Sequence, residues 1–307
     1  MTEANMNNSK VRKIEEVLVA QSASDGDGVR LKRVFGGGNL ARFDPFLMLD
    51  EFGSNDPGDY IGGFPSHPHR GFETVTYMLE GHMEHRDHMG NVGQLMAGDV
   101  QWMKAGAGVI HSEMPKQEED RMRGFQLWVN LPAREKMTPA SYTELAAASI
   151  PRYEIDGIYV KAIAGELRVN DHAVSGAISG LATEPGYLDI TVNPADQLSK
   201  ELSKELSKEL SKEFSVGVPE GHTTLIYVYE GELRIGTDAY QIKAGSLARL
   251  SLTGDLVIQA GAKTRLLIIT GKPIGEPIVQ RGPFVMNTAE EIHQAIRDYT
   301  EGKLVAA

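Results

Sequence analysis

The chain has 307 residues, 41% of them hydrophobic, with 33 glycines, 14 prolines and no cysteine. Its net charge of −11 offers no basic face to phosphates, which argues against nucleic acid and anionic membrane as partners. Without cysteine there are no disulfides, thiolate nucleophiles or sulfur-bound metals, so His, Asp and Glu are the remaining metal donors.

The length suits two domains. The N-terminal "MTEANMNNSK" has neither the basic flank nor the apolar stretch of a signal peptide, and no window approaches the roughly 18 apolar residues of a membrane helix. These features lead us to expect a soluble, cytoplasmic, monomeric protein. Short alternating segments divided by Gly, Asp, Asn and Pro dominate, the pattern of β-sandwiches and barrels. "VTYMLEGHMEHRD" (75–87), "GQLMAGDVQWMKAG" (93–106) and "GFQLWVNLPA" (124–133) are examples.

The polar stretch 131–153 reads as a domain boundary, which we set at 135/136. Further on, "LSKELSKELSKELSKEF" (198–214) is a tetrapeptide repeat read as a surface loop. "YVYEG" (227–231) repeats "YMLEG" (77–81) at an offset of 150, and "KAGSL" (243–247) follows "MAGDV" (96–100) at 147, implying two copies of one barrel. In "NTAEEIHQAIRDYTEG" (287–302), Ile292, Ala295, Ile296 and Tyr299 share a helical face. Asn287 or Thr288 can cap it, and Gly302 can stop it. This predicts a C-terminal helix over about 288–301 that packs on the β body.

The chemistry concentrates in "GFPSHPHRGFETVTYMLEG" (63–81). His67 and His69 are i and i+2, so on a strand both point to one face. "GVIHSEMP" (108–115) repeats the device with His111 and Glu113. A lone His-x-His is as readily a pair of surface imidazoles. Two such pairs on antiparallel neighbours, however, would bring three imidazoles and a carboxylate together, a donor set for a divalent transition metal with open positions. Under the two offsets His67, His69, His111 and Glu113 map to Gly217, Pro219, Ile258 and Ala260, so all four donors vanish where the β pattern persists. His82, His85 and His88 read as solvated loop histidines, with His85 able to reach a metal ligand from behind. Glu73 is read as a partner of Arg70 or of a ligand histidine.

Taken together, "FDPFLMLDEFG" (43–53), "FPSHPHRGFETVTYMLEG" (64–81), "MGNVGQLMAGDVQWMKAGAGVIHSEMP" (89–115), "QLWVNLPAREKM" (126–137) and "GPFVMNTAEEIHQAI" (282–296) resemble the pirin family. The resemblance weakens at the LSKE tract and at Ala107, where many pirins carry arginine. It implies an all-β fold of two tandem cupin (jelly-roll-type) β-barrels with a short C-terminal α-helix. The metal-binding domain would span 1–135. A metal-free domain would span 136–307, with the LSKE loop at 198–214. The resemblance also implies iron, as Fe(II), on His67, His69, His111 and Glu113. Mn, Co, Ni, Cu or Zn would be acceptable to the same donors. The implied activity is quercetin 2,3-dioxygenase on a flavonol-like small molecule and O2, releasing carbon monoxide, with Glu113 as the catalytic base. The competing expectation is a redox-dependent regulatory protein that binds a protein partner at the same site. A sugar-phosphate isomerase fits less well, because no basic cluster is placed for phosphate.

Overall fold

The computed structural model describes residues 11–116, 121–192, 211–236, 240–261 and 263–305. No helix in it is long and apolar enough to cross a membrane. Strands form where apolar residues alternate. In Leu256–Ala260, Leu256, Ile258 and Ala260 are buried while Val257 and Gln259 between them are half-buried. The fold is all-β with a short C-terminal helix.

Two compact units emerge. One holds residues 20–150, 180–183 and 273–305, the other 11–19, 151–179 and the described part of 184–272. They are not consecutive halves divided at 135/136. Strand Ser141–Leu145 pairs with Val100–Lys104, which keeps it with the first unit, while Ile14–Val19 pairs with Ser246–Leu250 in the second.

Among the described residues, the first unit has a seven-stranded antiparallel sheet. Its order is Ser141–Leu145, Val100–Lys104, Phe72–Glu80, Met122–Asn130, Phe46–Ser54, Val29–Gly36, Gln21–Asp25. A four-stranded sheet runs Phe64–His69, Val109–Pro115, Met83–Asp87, Val92–Leu95. The second unit repeats this order around Thr223–Glu230 and Leu256–Ala260, with Ile14–Val19 taking the place of Ser141–Leu145 and two strands, Glu166–Val169 and His172–Ser175, added to the smaller sheet. The duplication expected from the short repeats is therefore a duplication of topology.

The register corrects one part of that expectation. His67 lies opposite His111 and His69 opposite Val109. In the second unit Phe214 lies opposite Ile258 and Val216 opposite Leu256. The counterparts of His67 and His69 are thus Phe214 and Val216, not Gly217 and Pro219, because three extra residues sit in the loop after the strand. Phe214 closes the LSKE tract. Lys212–Gly217 is strand rather than loop, and 198–210 lies outside the described residues.

The helix runs Ala289–Thr300 with the expected capping box between Thr288 and Glu291. It buries Ile292 and Ala295 against Phe284, Met286 and Leu304 of its own unit, while Tyr299 stays 41% exposed at the rim. Two cations pin this C-terminal segment. Arg70 donates to Asp298 Oδ2 at 2.6 Å and to the Ala107 carbonyl. Buried Lys136 donates to the carbonyls of Gly71 (2.8 Å) and Val285 (3.0 Å) and to Asn130 Oδ1 (2.7 Å). At Gly71 (φ +90°) a Cβ would collide with the Val285 carbonyl oxygen, so only glycine admits the segment this closely.

Candidate metal centre

Strand Phe64–His69 is an edge strand, which explains how it tolerates Pro65 and Pro68 without a ladder donor. An irregularity between His111 and Glu113 shifts the register, so Glu113 faces Phe64. In the regular register before it, the His67 and His111 rings stand 4.4 Å apart between centroids and the His69 and His111 rings 4.9 Å apart. One ring nitrogen from each of His67, His69 and His111 lies within 4.8 Å of the others.

The protonation pattern suits a cation. His67 Nδ1–H donates to the Pro65 carbonyl at 2.8 Å, so the lone pair is on Nε2, which sits 3.0 Å from His69 Nε2. Burial holds His69 and His111 well below the ordinary histidine pKa, so both imidazoles are neutral. His111 Nε2 is buried with no hydrogen-bond partner among the described residues. A buried orphan nitrogen costs free energy that a metal bond would offset. Three imidazoles gathered around such an atom, those of His69 and His111 held neutral by burial, fit a divalent transition metal.

Glu113 is buried on the strand that carries His111 but falls outside the three-histidine set. Thr76 Oγ1 lies 2.9 Å from Glu113 Oε1 and 2.6 Å from the Gln126 side-chain amide. Thr76 has one proton to give. It donates to one of these oxygens at a time, so Thr76 links the Glu113 carboxyl and the Gln126 side chain as alternative acceptors.

His85 departs from the expectation of a solvated loop residue. It is 1% exposed, and its Nε2 lies 2.9 Å from His111 Nδ1. With Nε2 of His111 free for metal, Nδ1–H donates to His85, the arrangement that fixes a ligand's orientation from behind. His82 instead meets Gln94 at 2.6 Å, and His88 Nδ1 accepts from the Ile110 amide at 3.3 Å. His85→Phe is expected to weaken metal binding about 10- to 100-fold, with His85→Gln recovering part of the loss. Competition against a chelator measures both, and equal affinities would make His85 a bystander.

Glu73 contacts neither Arg70 nor a histidine; Trp102 Nε1–H donates to it at 3.1 Å. Burial pushes its carboxyl up to about 7. A carboxyl with a folded pKa above its unfolded value binds more protons when folded. Stability therefore falls as pH rises from about 4.5 through about 7, then levels off, a loss of about 3 kcal/mol. Glu73→Gln keeps the acceptor and should remove that slope. Melting temperatures at about pH 5 and pH 8 test it, and parallel curves for the two proteins would refute it.

The centre opens into a cavity of about 1280 Å³. His67, His69, Glu113, Thr76 and Gln126 line it, together with Arg33, Asp50 and Pro277–Val279 of the C-terminal segment. Trp128 and Phe72 stand edge-on to His69, with ring centroids at 5.4 Å and 5.1 Å. Sequence spacing did not reveal Thr76, Gln126, Arg33 or Asp50, because they converge only through strand pairing.

A family model described as Pirin matches residues 28–129, and one described as Pirin C-terminal cupin domain matches 187–305. A Pseudomonas aeruginosa protein named "putative quercetin 2,3-dioxygenase" is 49% identical over 298 residues, covering 96% of this chain and 99% of that one. A pirin-like protein of Caulobacter vibrioides is 44% identical over 296 residues, covering 95% and 99%. The crystal structure of a quercetin 2,3-dioxygenase from Acinetobacter baumannii superposes with a TM-score of 0.83 at 34% identity, covering 97% of this chain and 99% of that one.

Proposed function

The chain belongs to the pirin family, and from that membership we propose that its histidine centre serves a metal-dependent dioxygenase that opens the central ring of quercetin-like flavonols with O2 and releases carbon monoxide. The observation that supports this reading is the buried, unpartnered Nε2 of His111, gathered with the imidazoles of His67 and His69, which line a large cavity.

His67, His69 and His111 would hold the metal, iron(II) by family likeness, with Glu113 as a fourth donor. When bound, the ion supplies positive charge and an open position that make a flavonol 3-hydroxyl more acidic. The residues around it do the rest. Thr76 holds Glu113 Oε1 and leaves Oε2 to take the hydroxyl proton. Trp128 and Phe72 keep the His69 ring upright and give the site an aromatic wall. The cavity has the mostly apolar, concave form suited to a planar aromatic ligand.

Metal analysis of the purified protein, combined with a carbon monoxide assay on quercetin in air and under argon, tests the proposal. Stoichiometric metal with O2-dependent gas release is expected. Metal without gas would overturn it and favour the regulatory alternative.

A further inference from the structure

One line of residues crosses the seven-stranded sheet of the metal-centre unit. Register sets Glu144 opposite Gln101, Gln101 opposite Thr76, Thr76 opposite Gln126, Gln126 opposite Asp50 and Asp50 opposite Arg33. Every member is polar, and the last four line the cavity. In the second unit the matching line is Val17, Ala248, Ile226, Ile268, Leu188 and Ala162. It is apolar throughout and belongs to that unit's packed core. The same strand arrangement thus works with a greasy row. Turning six positions polar costs burial free energy that a bound ligand can offset.

The row also leaves particular groups unused. Arg33 gives Nε to Asp50 Oδ1 at 3.0 Å, and its Nη2 reaches Asp50 Oδ2 at 2.8 Å and Asp25 Oδ2 at 3.2 Å. Its Nη1 has no hydrogen bond among the described residues. The paired bonds to Asp50 fix the guanidinium plane, so those free N–H donors are already oriented. Gln126 spends one amide atom on Thr76 and keeps the other. Three strand spacings, about 14 Å in all, separate the strand of Thr76 from that of Arg33. That is the reach of a ligand with two linked ring systems.

We propose that this row reads the ring hydroxyls of the substrate: Gln126 bonds its middle, and Arg33, clamped by Asp50, bonds phenolic oxygens on the ring far from the metal. The selected class is a polyhydroxylated flavonol over one bearing only the 3-hydroxyl. The inference rests on the flavonol reading above.

The test is binding, not turnover. Quercetin and 3-hydroxyflavone are titrated calorimetrically into metal-loaded protein without O2. The key variant is Arg33→Ala/Asp50→Leu, which copies Ala162 and Leu188 and removes both partners of the buried pair, so that the only charge losing a contact is the exposed Asp25. It should lose about tenfold in quercetin affinity, the worth of one charge-assisted hydrogen bond, and less than about twofold for 3-hydroxyflavone. Equal losses, or none, would overturn the proposal while leaving the dioxygenase reading intact. A wild type that binds neither flavonol sinks both. Should the double variant not fold, Arg33→Lys keeps the pairing with Asp50 but loses the fork. It should weaken quercetin several-fold, and unchanged affinity would refute the role.

Discussion

His69→Ala and His111→Ala are each expected to abolish metal binding yet leave the barrel folded. Each removes one of three nitrogen donors. If a structural site of four donors binds with about 10–16 kcal/mol, one donor is worth about 3 kcal/mol, or more than 100-fold in affinity. The fold should survive because the second unit already builds the same strands with Phe214, Val216 and Ile258 at these positions. The His111 imidazole even costs the metal-free protein something, since its Nε2 is buried without a partner among the described residues. Metal-free variants should therefore melt within about 5 °C of the metal-free wild type, an allowance of about 1–2 kcal/mol in a protein of this size. The comparison must be made without metal, because binding itself raises the melting point. A folded His111→Ala protein that keeps stoichiometric metal would remove the centre from consideration. An unfolded one would make these histidines structural.

The largest stability effect is expected far along the chain from that chemistry, at Arg12. Its side chain is 1% exposed and makes five hydrogen bonds. They go to the carbonyls of Pro219 (3.0 Å), His222 (3.3 Å), Ser251 (2.6 Å) and Gly254 (3.0 Å) and to Thr224 Oγ1 (3.1 Å). Burial lowers its pKa, with Glu220 and Asp255 opposing that shift. Arg12→Ala would leave this ring of acceptors facing a void, at a cost of about 3–5 kcal/mol. Arg12→Lys should recover little, since a point charge cannot serve acceptors arranged for a fork. Denaturant unfolding gives the magnitude. Hydrogen exchange should show the loss in Thr223–Glu230 and Leu256–Ala260, whose connecting loops Arg12 ties together. A change below about 1 kcal/mol would mean that water replaces the guanidinium without penalty.

Arg12 also marks where local pattern stops being informative. Nothing in "VRKIEEVLVA" says that this segment completes the unit built from the later part of the chain, because an edge strand's partner is chosen by long-range register. The same holds for residues 273–305, which pack with the earlier part through Arg70 and Lys136. His85 looked like one of three loop histidines, and only its pairing opposite Glu113 turned it toward His111.

Some things were decided by the sequence alone. Alternation at period two made the elements strands, two i,i+2 pairs placed His67 with His69 and His111 with Glu113, and the recurring pentapeptides announced a second copy without donors. All three are properties of neighbouring residues, governed by the pleat of a single strand. Tertiary structure decided which strands lie side by side. It thereby set Phe214 in the place of His67, brought Thr76 within hydrogen-bond reach of Glu113, and lined up Arg33, Asp50, Gln126 and Thr76 from four separate strands. Cross-strand contacts cost loop closure between residues distant in the chain, and no local periodicity records which of them the fold will select.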